Sequence, residues 1–423
     1  MNDLASLRLR DNAVAQAGRE PTPPLDIRHV IIGHCKGHPL QANGVYKVAR
    51  QLAREQLGAG ENAKLFYLRN GPPEPGDQPI DVPSQVLPLS GVKLRGHAVT
   101  LAPKVMAALL SGTTPNTIFH IHGGREPVLL HLTAVLRKHH VPYALTVHGR
   151  YSHIFDRQAR TTRRVPALYL RLIERHVLQH ARFVHAVCPQ EREIIKAVAP
   201  GAQVQIIGNA AYSSRLDGAP ASPRRTGPSA QFPRFGFCGR YEVEHKGLDL
   251  LIEGFAEYRK AGGKGTLELI GTGPARQALL ALAERLQPDG SIIVRGPAFG
   301  AEKERALSTW DFFVMPSRFD VMPTAGLEAA LFGLPLIVSL PTNLQDEVNR
   351  FGGGLPISAL SPAAVARALF QAERLGAEEW ARMSHAAFQM AASIGDWSAA
   401  SDRLRDLYRP RDAWPGAGGQ GSR

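Results

Sequence analysis

The sequence is poor in cysteine: Cys35, Cys188 and Cys238 are the only three in 423 residues, odd in number and far apart. That excludes a disulfide framework and a paired-cysteine zinc site. No apolar run approaches the roughly 18–20 residues that a membrane-spanning helix needs. The first 26 residues, MNDLASLRLRDNAVAQAGREPTPPLD, lack the apolar core of a secretory signal and read as a loose tail. Aromatic residues make up only 7%. They show no interleaving with basic residues of the RNA-binding kind, and no zinc-finger spacing occurs, so nucleic acid is disfavoured as a partner. These absences point to a cytoplasmic protein.

What is present is ordinary in bulk, with 44% hydrophobic and 21% charged residues. The length suits two domains, each able to bury its own core. IRHVIIGH (27–34) is a short, apolar, β-branched run, and NGVYKVARQLAREQL after it sets Val45, Val48, Ala49, Leu52 and Ala53 on one helical face. AKLFYL, TIFHIHGG, PYALTVHG, FVHAVCP and VQIIGN read as further strands, with helix-period segments between them. A Pro-, Ser- and Gly-rich stretch, 215–233, reads as a linker. The alternation then restarts at RFGFCGR and runs through TLELIGTG, SIIVRG, DFFVMPS and LPLIVS. The expected organisation is a tail (1–26), a first domain (27–214), the linker, and a second domain (234–395). A helix (396–409) crossing back to the first domain and a frayed tail (410–423) follow. Strands alternating with helices imply βαβ units. The expected class is therefore α/β, with two doubly wound parallel-sheet domains facing across a cleft and ligands at the carboxyl ends of the strands.

The net charge of +13 calls for an anionic partner. Eight arginines between Arg150 and Arg182 face only Asp156 and Glu174. Within that run, VPALYLRLIERHVLQHA places Val165, Leu168, Leu172 and Val177 on one helical face, with Arg171 and Arg175 on another. The apolar face is expected to pack on the first domain's sheet. The arginines, Arg160, Arg163 and Arg164 included, would form a patch suited to an anionic membrane.

Chemistry concentrates in two places. PSRFDVMPTAGLEAALFGLPLIVS (316–339) holds Asp320 and Glu328 with seven residues between them. Pro323 suits the first helical position, which puts Glu328 inside the helix and Asp320 on the loop leading in. Upstream, RYEVEHKG (240–247) follows a strand, so that Arg240 and Lys246 could neutralise a diphosphate, the one by a bidentate fork and the other as a point charge. The alternative is two solvated cations among Glu242, Glu244 and His245. IGTGP (270–274) is a strand and a glycine turn without the full dinucleotide fingerprint. No D-x-D pair exists to clamp a Mg²⁺-diphosphate, which leaves that charge to cations and helix N-termini. His120 and His122 share one face of a strand and with His148 suggest a metal, but no carboxylate or cysteine completes the set.

GRYEVEHKGLDLLIEGF, LELIGTGP, IIVRG and MPSRFDVMPTAGLEAALFGLPLIVS, in that order, resemble the donor domain of GT-B-fold glycosyltransferases, above all the large retaining family four. The resemblance is specific over 233–345 and looser over 27–210. It implies two Rossmann-like domains and transfer of a hexose from a nucleotide-sugar to a hydroxyl acceptor, with anomeric configuration retained and no metal cofactor. It also implies site roles. Glu328 would bind the nucleotide ribose, Asp320 would approach the transferred sugar, and Arg240 and Lys246 would hold the diphosphate beside the backbone N–H groups near Thr324. Gly271, Gly273, Met322 and Pro323 fall in the donor-binding set. QANGVYKVAR resembles the family's glycine loop, with Asn43 as a cap on the acceptor side and Gly44 approached by donor or acceptor. TVHG resembles the strand end that places a histidine against the donor sugar, which makes His148 a catalytic-centre residue, and His122 is expected to line the cleft near the acceptor. The family usually has Glu where this chain has Asp320, which puts the donor sugar in doubt.

The basic patch suggests an acceptor that is anionic or membrane-held: a lipid-linked glycan, or an exopolysaccharide or lipopolysaccharide intermediate met at the inner face of the membrane. The rivals are a nucleotide-sugar epimerase on the same fold, a nucleotide-sugar-binding scaffold without transfer activity, and an RNA-binding protein favoured only by charge.

Overall fold

The β-branched run at the start of the first domain forms a buried central strand, and the architecture grows outward from it. The computed structural model describes residues 23–33, 44–69, 81–94, 97–151, 167–210, 227–228, 231–287, 289–394 and 397–409. The first domain holds β1 (Asp26–Gly33), β2 (Asn62–Arg69), β3 (Ser84–Pro88), a small antiparallel hairpin of β4 (Lys93–Leu94) and β5 (His97–Ala98), β6 (Thr117–His122), β7 (Tyr143–Thr146), β8 (Phe183–Ala186) and β9 (Val204–Ile206). Apart from the hairpin these strands make one parallel sheet in the order β3-β2-β1-β6-β7-β8-β9. The second domain holds β10 (Arg234–Arg240), β11 (Thr266–Thr272), β12 (Ile292–Arg295), β13 (Phe312–Met315), β14 (Leu336–Ser339) and β15 (Gly354–Ile357). They form a parallel sheet in the order β12-β11-β10-β13-β14-β15.

In both sheets the chain steps outward from the central strand, returns, and steps outward the other way. The reversals fall between β1 and β6 and between β10 and β13. Crevices at the carboxyl ends of such strand pairs are where open α/β sheets bind ligands.

Helices bury both faces, as the near-continuous apolar runs of parallel strands require. Gly44–Gly58 packs Tyr46, Val48, Ala49, Leu52 and Ala53 onto the first sheet. The helix Trp397–Tyr408 crosses back to that sheet and buries Trp397, Leu404 and Tyr408 in the same cluster. Arg405 and Arg409 fasten it, donating to Glu61 Oε1 at 3.0 and 2.8 Å, while Glu61 Oε2 accepts from the Leu25 N–H at 2.6 Å.

The expected tail 1–26 runs two residues too far, because Leu25 is buried and β1 starts at Asp26. Most of the expected linker 215–233 and the tail 410–423 lie outside the described residues, as do Arg160, Arg163, Arg164 and Val165. The helical segment Ala167–Gln179 contains a π turn, Leu170–Glu174. Its apolar face does not pack as a unit. Val177 is fully buried, but Leu168 and Leu172 are 65% and 60% exposed and share one stripe with the exposed Arg171 and Arg175. No helix among the described residues is long and apolar enough to cross a membrane.

Candidate active site

In the second domain the site is assembled by the two loops that leave β10 and β13. Gly247 (φ +62°) approaches Pro316 so closely that a Cβ there would lie 2.1 Å from the Pro316 carbonyl oxygen, so this turn requires glycine. Arg318 straps the loops together. Its guanidinium donates two parallel bonds to Asp249 at 2.6 Å and one to the Val243 carbonyl at 2.9 Å, and its N–H donates to the His245 carbonyl at 2.8 Å. A bidentate fork of this kind fixes orientation as well as distance. The result is an ion pair between the Lys246 ammonium and the Asp320 carboxylate, both largely buried. Asp320 is held further by its N–H to the Pro341 carbonyl at 2.8 Å.

Arg240 ends β10 with its side chain 59% exposed and paired to Glu242 at 2.6 Å. Glu242 also accepts from His245 Nδ1 at 2.8 Å. The His245 hydrogen bond first, and then Arg240 against the cost of burial, hold the Glu242 carboxyl below its ordinary range. Glu328 lies inside the helix Thr324–Leu331 and pairs with Lys303, which stands on the helix Gly300–Thr309. Burial pushes the Lys303 ammonium down, but Glu328, Cys238 and the hydrogen bond to Glu328 lift it above its ordinary value. From the other domain, Lys47 feels the same cluster. Lys47 is exposed by surface area, but the neighbouring protein partly desolvates its ammonium and lowers its pKa, while Glu328 raises it and Lys303 lowers it again. Lys303 and Lys47 had no signal in the sequence: Lys303 stands between Glu302 and Glu304 but pairs with Glu328, 25 positions on, and no acid stands near Lys47.

Several expectations are refined. Pro323 is the residue before the helix (φ −77°, ψ 101°), and Thr324 is its first. A boundary shift of one residue is common where the entering loop is extended. A Cβ at Gly271 would lie 1.9 Å from the Gly239 carbonyl oxygen, and one at Gly273 would lie 2.4 Å from that of Tyr241. Packing between the ends of β10 and β11 thus demands both glycines, whatever binds nearby. Met322 reaches into the first domain, where its sulfur accepts from the Asn209 N–H at 3.1 Å and packs on Gly208.

The first-domain half lies just after β7. His148 (φ +50°) and Gly149 (φ +73°) both take left-handed conformations. For His148 that costs strain which the surroundings must hold. Glu191 does so, with one carboxylate oxygen accepting from the Gly149 N–H at 2.6 Å and the other from the Val187 N–H at 2.8 Å. Gly149 touches the loop that carries Asp320, since a Cβ on it would lie 2.3 Å from Val321 Cγ2. His148 and Asp320 therefore flank one interdomain contact. Gly44 opens its helix with free space around its Cα, and Asn43 lies outside the described residues.

His122 does not line the cleft. It is 1% exposed and sits behind His148, accepting or donating through Nδ1 to His148 Nε2 at 3.0 Å. The reason is its central strand, whose polar face is covered by the helices Gly44–Gly58 and Trp397–Tyr408. His29, His120 and His122 bring ligand atoms within 4.8 Å of one another, the spacing of a metal site. Every ring nitrogen of the three already has a hydrogen-bond partner in protein: Gln56, Tyr408, Thr146, His148 or each other. The cluster is a hydrogen-bonded seam. A separate groove of about 750 Å³, between β10–β12 and the helix Gly300–Thr309, is lined by Ile270, Ile293, Trp310 and neighbours and includes none of the expected site residues.

Residues 232–372 match the family model for glycosyl transferases group 1, and residues 43–210 match that for the glycosyl transferase 4-like domain. Among curated proteins, glycogen synthase from Halorhodospira halophila is 31% identical over 226 residues, covering 50% of this chain and 45% of the relative. Glycogen synthase from Thermus thermophilus is 26% identical over 178 residues, covering 42% and 38%. The chain thus spans less than half the length of these relatives. In structure it is similar to sucrose-phosphate synthase from Thermosynechococcus elongatus, with a TM-score of 0.66 at 18% identity over 90% of this chain and 98% of that one. It is likewise similar to Anabaena HepE in complex with UDP and glucose, with a TM-score of 0.67 at 15% identity over 90% and 98%. The two parallel-sheet domains of these structures and of this chain are the same GT-B architecture.

Proposed function

The chain belongs to the GT-B glycosyltransferases of the group 1, family-four type, and we propose that it moves a hexose from a nucleotide-sugar to a hydroxyl acceptor with retention of anomeric configuration. The observation that carries this reading is the paired arrangement at one switch point: Lys246 on Asp320 and Lys303 on Glu328, opposite His148. In this reading Lys246, with three N–H donors, holds Asp320 and a phosphate oxygen at once. Arg240 swings from Glu242 to the diphosphate. Lys303 occupies one oxygen of Glu328 and leaves the other for a ribose hydroxyl. The charge that develops on the departing diphosphate meets ammonium and guanidinium groups already in place, which is electrostatic stabilisation without a metal. Contact between the Gly149 and Val321 loops supports a closed cleft that excludes water and so limits donor hydrolysis.

A thermal-shift screen against UDP, GDP, ADP and their sugars tests the reading, because a ligand bound only by the folded state raises Tm. Transfer should follow with the stabilising donor and should survive EDTA. Glu328→Ala should weaken the bare nucleotide, and Asp320→Ala should weaken only the intact donor. No stabilisation by any nucleotide, or loss of turnover on chelation with rescue by Mg²⁺, would count against it. Donor consumption without an acceptor would indicate an epimerase.

The acceptor is proposed to be membrane-held, a lipid-linked glycan or polysaccharide intermediate on the inner face. The exposed stripe Leu168–Arg171–Leu172–Arg175 supports this, since each arginine is worth up to about 1 kcal/mol near anionic lipid. The protein should pellet with anionic vesicles at low salt and release as salt rises. Replacing Arg171 and Arg175 with Gln should weaken pelleting and spare nucleotide affinity. No pelleting would favour a soluble acceptor.

A further inference from the structure

The loop that leaves β6 holds an arginine in a conformation that favours glycine. Arg125 takes a left-handed backbone, φ +60°, which costs a non-glycine residue strain that its surroundings must hold. Beside it stands Glu174, fully buried although its neighbours Arg171, Leu172 and Arg175 are exposed. The π turn Leu170–Glu174 ends on this residue, and such turns recur at functional sites, where the extra residue re-aims a side chain. One Glu174 carboxylate oxygen accepts from the Tyr151 hydroxyl and the other from the Tyr169 hydroxyl, the latter at 2.8 Å. Burial lifts the Glu174 carboxyl above its ordinary value, while the two tyrosines, and then the Arg125 N–H that faces it, oppose the rise. Gly124 lets the loops after β6 and β7 close on each other, since a Cβ there would lie 3.3 Å from the Tyr151 hydroxyl oxygen. Glu174 therefore belongs to the scaffold of this corner.

What the scaffold presents is positive charge. Arg125 and Arg150 are both half-buried, and Arg125 Nη1 donates to the Arg150 carbonyl at 3.3 Å. Among the described residues Arg125 forms no ion pair. Arg150 has a loose one: its Nη1 lies 3.5 Å from Glu126 Oε1, and its side chain is 41% exposed. A pair of that kind contributes little. The corner adjoins the reaction centre, because Arg150 stands two residues beyond His148 and next to Gly149, which touches Val321 on the Asp320 loop. Burial first, then His185 and the charge of Arg150, push His148 down to about 3.

We infer that Arg125 and Arg150 form an oxyanion site on the first-domain side of the cleft, so that the acceptor presents a phosphate next to the hydroxyl that receives the sugar. The statement about the acceptor rests on the proposed function; the oxyanion site does not. Guanidinium forks from two loops suit a tetrahedral phosphate, whose oxygens meet both at once, whereas a single fork already fills a carboxylate. In the proposed reading Arg240 and Lys246 meet the donor diphosphate from the second domain, which leaves this pair to the other substrate. A sugar phosphate in solution and a lipid-linked sugar phosphate offer the same chemistry. Glu174 is a positioning residue, acting on the anion only through the loop of Arg125.

The test is ¹⁵N NMR of the arginine Nε–H groups in full-length protein titrated with inorganic phosphate, against sodium chloride at matched ionic strength. Lys246→Ala is titrated alongside, so that the donor-side ammonium is removed. In both proteins the Arg125 and Arg150 resonances should move along one saturable curve that chloride does not reproduce. Arg125→Asn, a residue that tolerates the left-handed backbone, should weaken the phosphate response of Arg150. Arg150→Gln should weaken that of Arg125. Each loss should be roughly tenfold or more, the usual worth of a hydrogen bond to a charged group. Folded Glu174→Gln should also weaken phosphate, whereas a merely structural role would leave that affinity unchanged. Shifts that chloride reproduces, or two guanidiniums that respond independently of each other, overturn the site. A second arm, with the donor identified by thermal shift, compares kcat/KM for three acceptors: a sugar 1-phosphate, a short-chain polyprenyl-diphosphate sugar and the uncharged sugar. A preference of roughly tenfold or more for a phosphate-bearing acceptor is expected, lost in Arg125→Asn. Which of the two is preferred separates the soluble from the lipid-linked source. Equal or better use of the uncharged sugar overturns the assignment of the acceptor. Absence of nucleotide binding defeats the proposed function instead, while the phosphate titration still decides the oxyanion site.

Discussion

Lys246→Ala should lower kcat/KM for the sugar donor by roughly two to three orders of magnitude, the usual cost of removing one preorganised donor from a developing negative charge. That is about 3–4 kcal/mol of transition-state stabilisation. Two terms add. The diphosphate loses an ammonium, and Asp320 loses the cation that neutralises it, so an uncompensated carboxylate remains where the phosphates must sit. Arg240→Ala should cost less, about tenfold. Its side chain is 59% exposed against 18% for Lys246, and in the free protein it is already engaged by Glu242. Solvent screens an exposed guanidinium more strongly, and an exposed pair is worth little. Steady-state kinetics on the two folded variants give the ordering. Unchanged donor kinetics in Lys246→Ala would remove the ammonium from the mechanism. A larger loss in Arg240→Ala would mean that the loop closes further over the donor than its free-state exposure indicates.

The halves of the site differ in how far the sequence disclosed them. The places of Arg240, Lys246, Asp320 and Glu328 in the fold were legible from local pattern: the first ends β10, the next two lie on the loops after β10 and β13, and Glu328 lies inside the helix that follows. The side chains they contact were not. Arg318–Asp249, Lys303–Glu328 and Glu191 to the Gly149 N–H each join residues 25 or more positions apart. No local period or spacing encodes such pairs. The same limit explains His122. Alternation in TIFHIH correctly put it on one face with His120, but whether that face meets a cleft or two helices depends on chain far away, including Tyr408. Among strands, the long apolar runs declared themselves. β3 and β15 did not, since both lie at sheet edges, and each includes a proline, Pro88 or Pro356. Proline is tolerated at an edge and argues against a strand when only the sequence is seen. Leu168 and Leu172 show the converse error: an apolar helical stripe reads as buried by default, and here it is not.

Acid should destabilise the first domain steeply, well above the pH at which carboxylates ordinarily titrate. Burial lowers the pKa of His29, His120, His122, His148 and His185 in the folded state. In the unfolded chain each returns to about 6.5. A base whose folded pKa is depressed binds protons more readily when unfolded, so its contribution to stability is complete above pH 6.5 or so. That contribution is lost as pH falls toward the folded values, about 4 for His29 and His185. Each such group adds at most about 1.4 kcal/mol per pH unit to the slope. Glu174 and Glu191 work the other way, because burial raises their pKa and the folded state holds their protons more tightly. Five histidines against two glutamates leave a net excess of three groups, and a limiting slope of about 4 kcal/mol per pH unit. With total stabilities of about 5–15 kcal/mol, a fall from pH 6.5 to 5 removes a large share of what holds the domain folded. Urea unfolding at pH 7.5, 6.5, 5.5 and 5 measures it. A loss of at least about 3 kcal/mol between the extremes is expected. A loss no larger than a single histidine can supply would mean that the seam is already charged or hydrated in the folded protein.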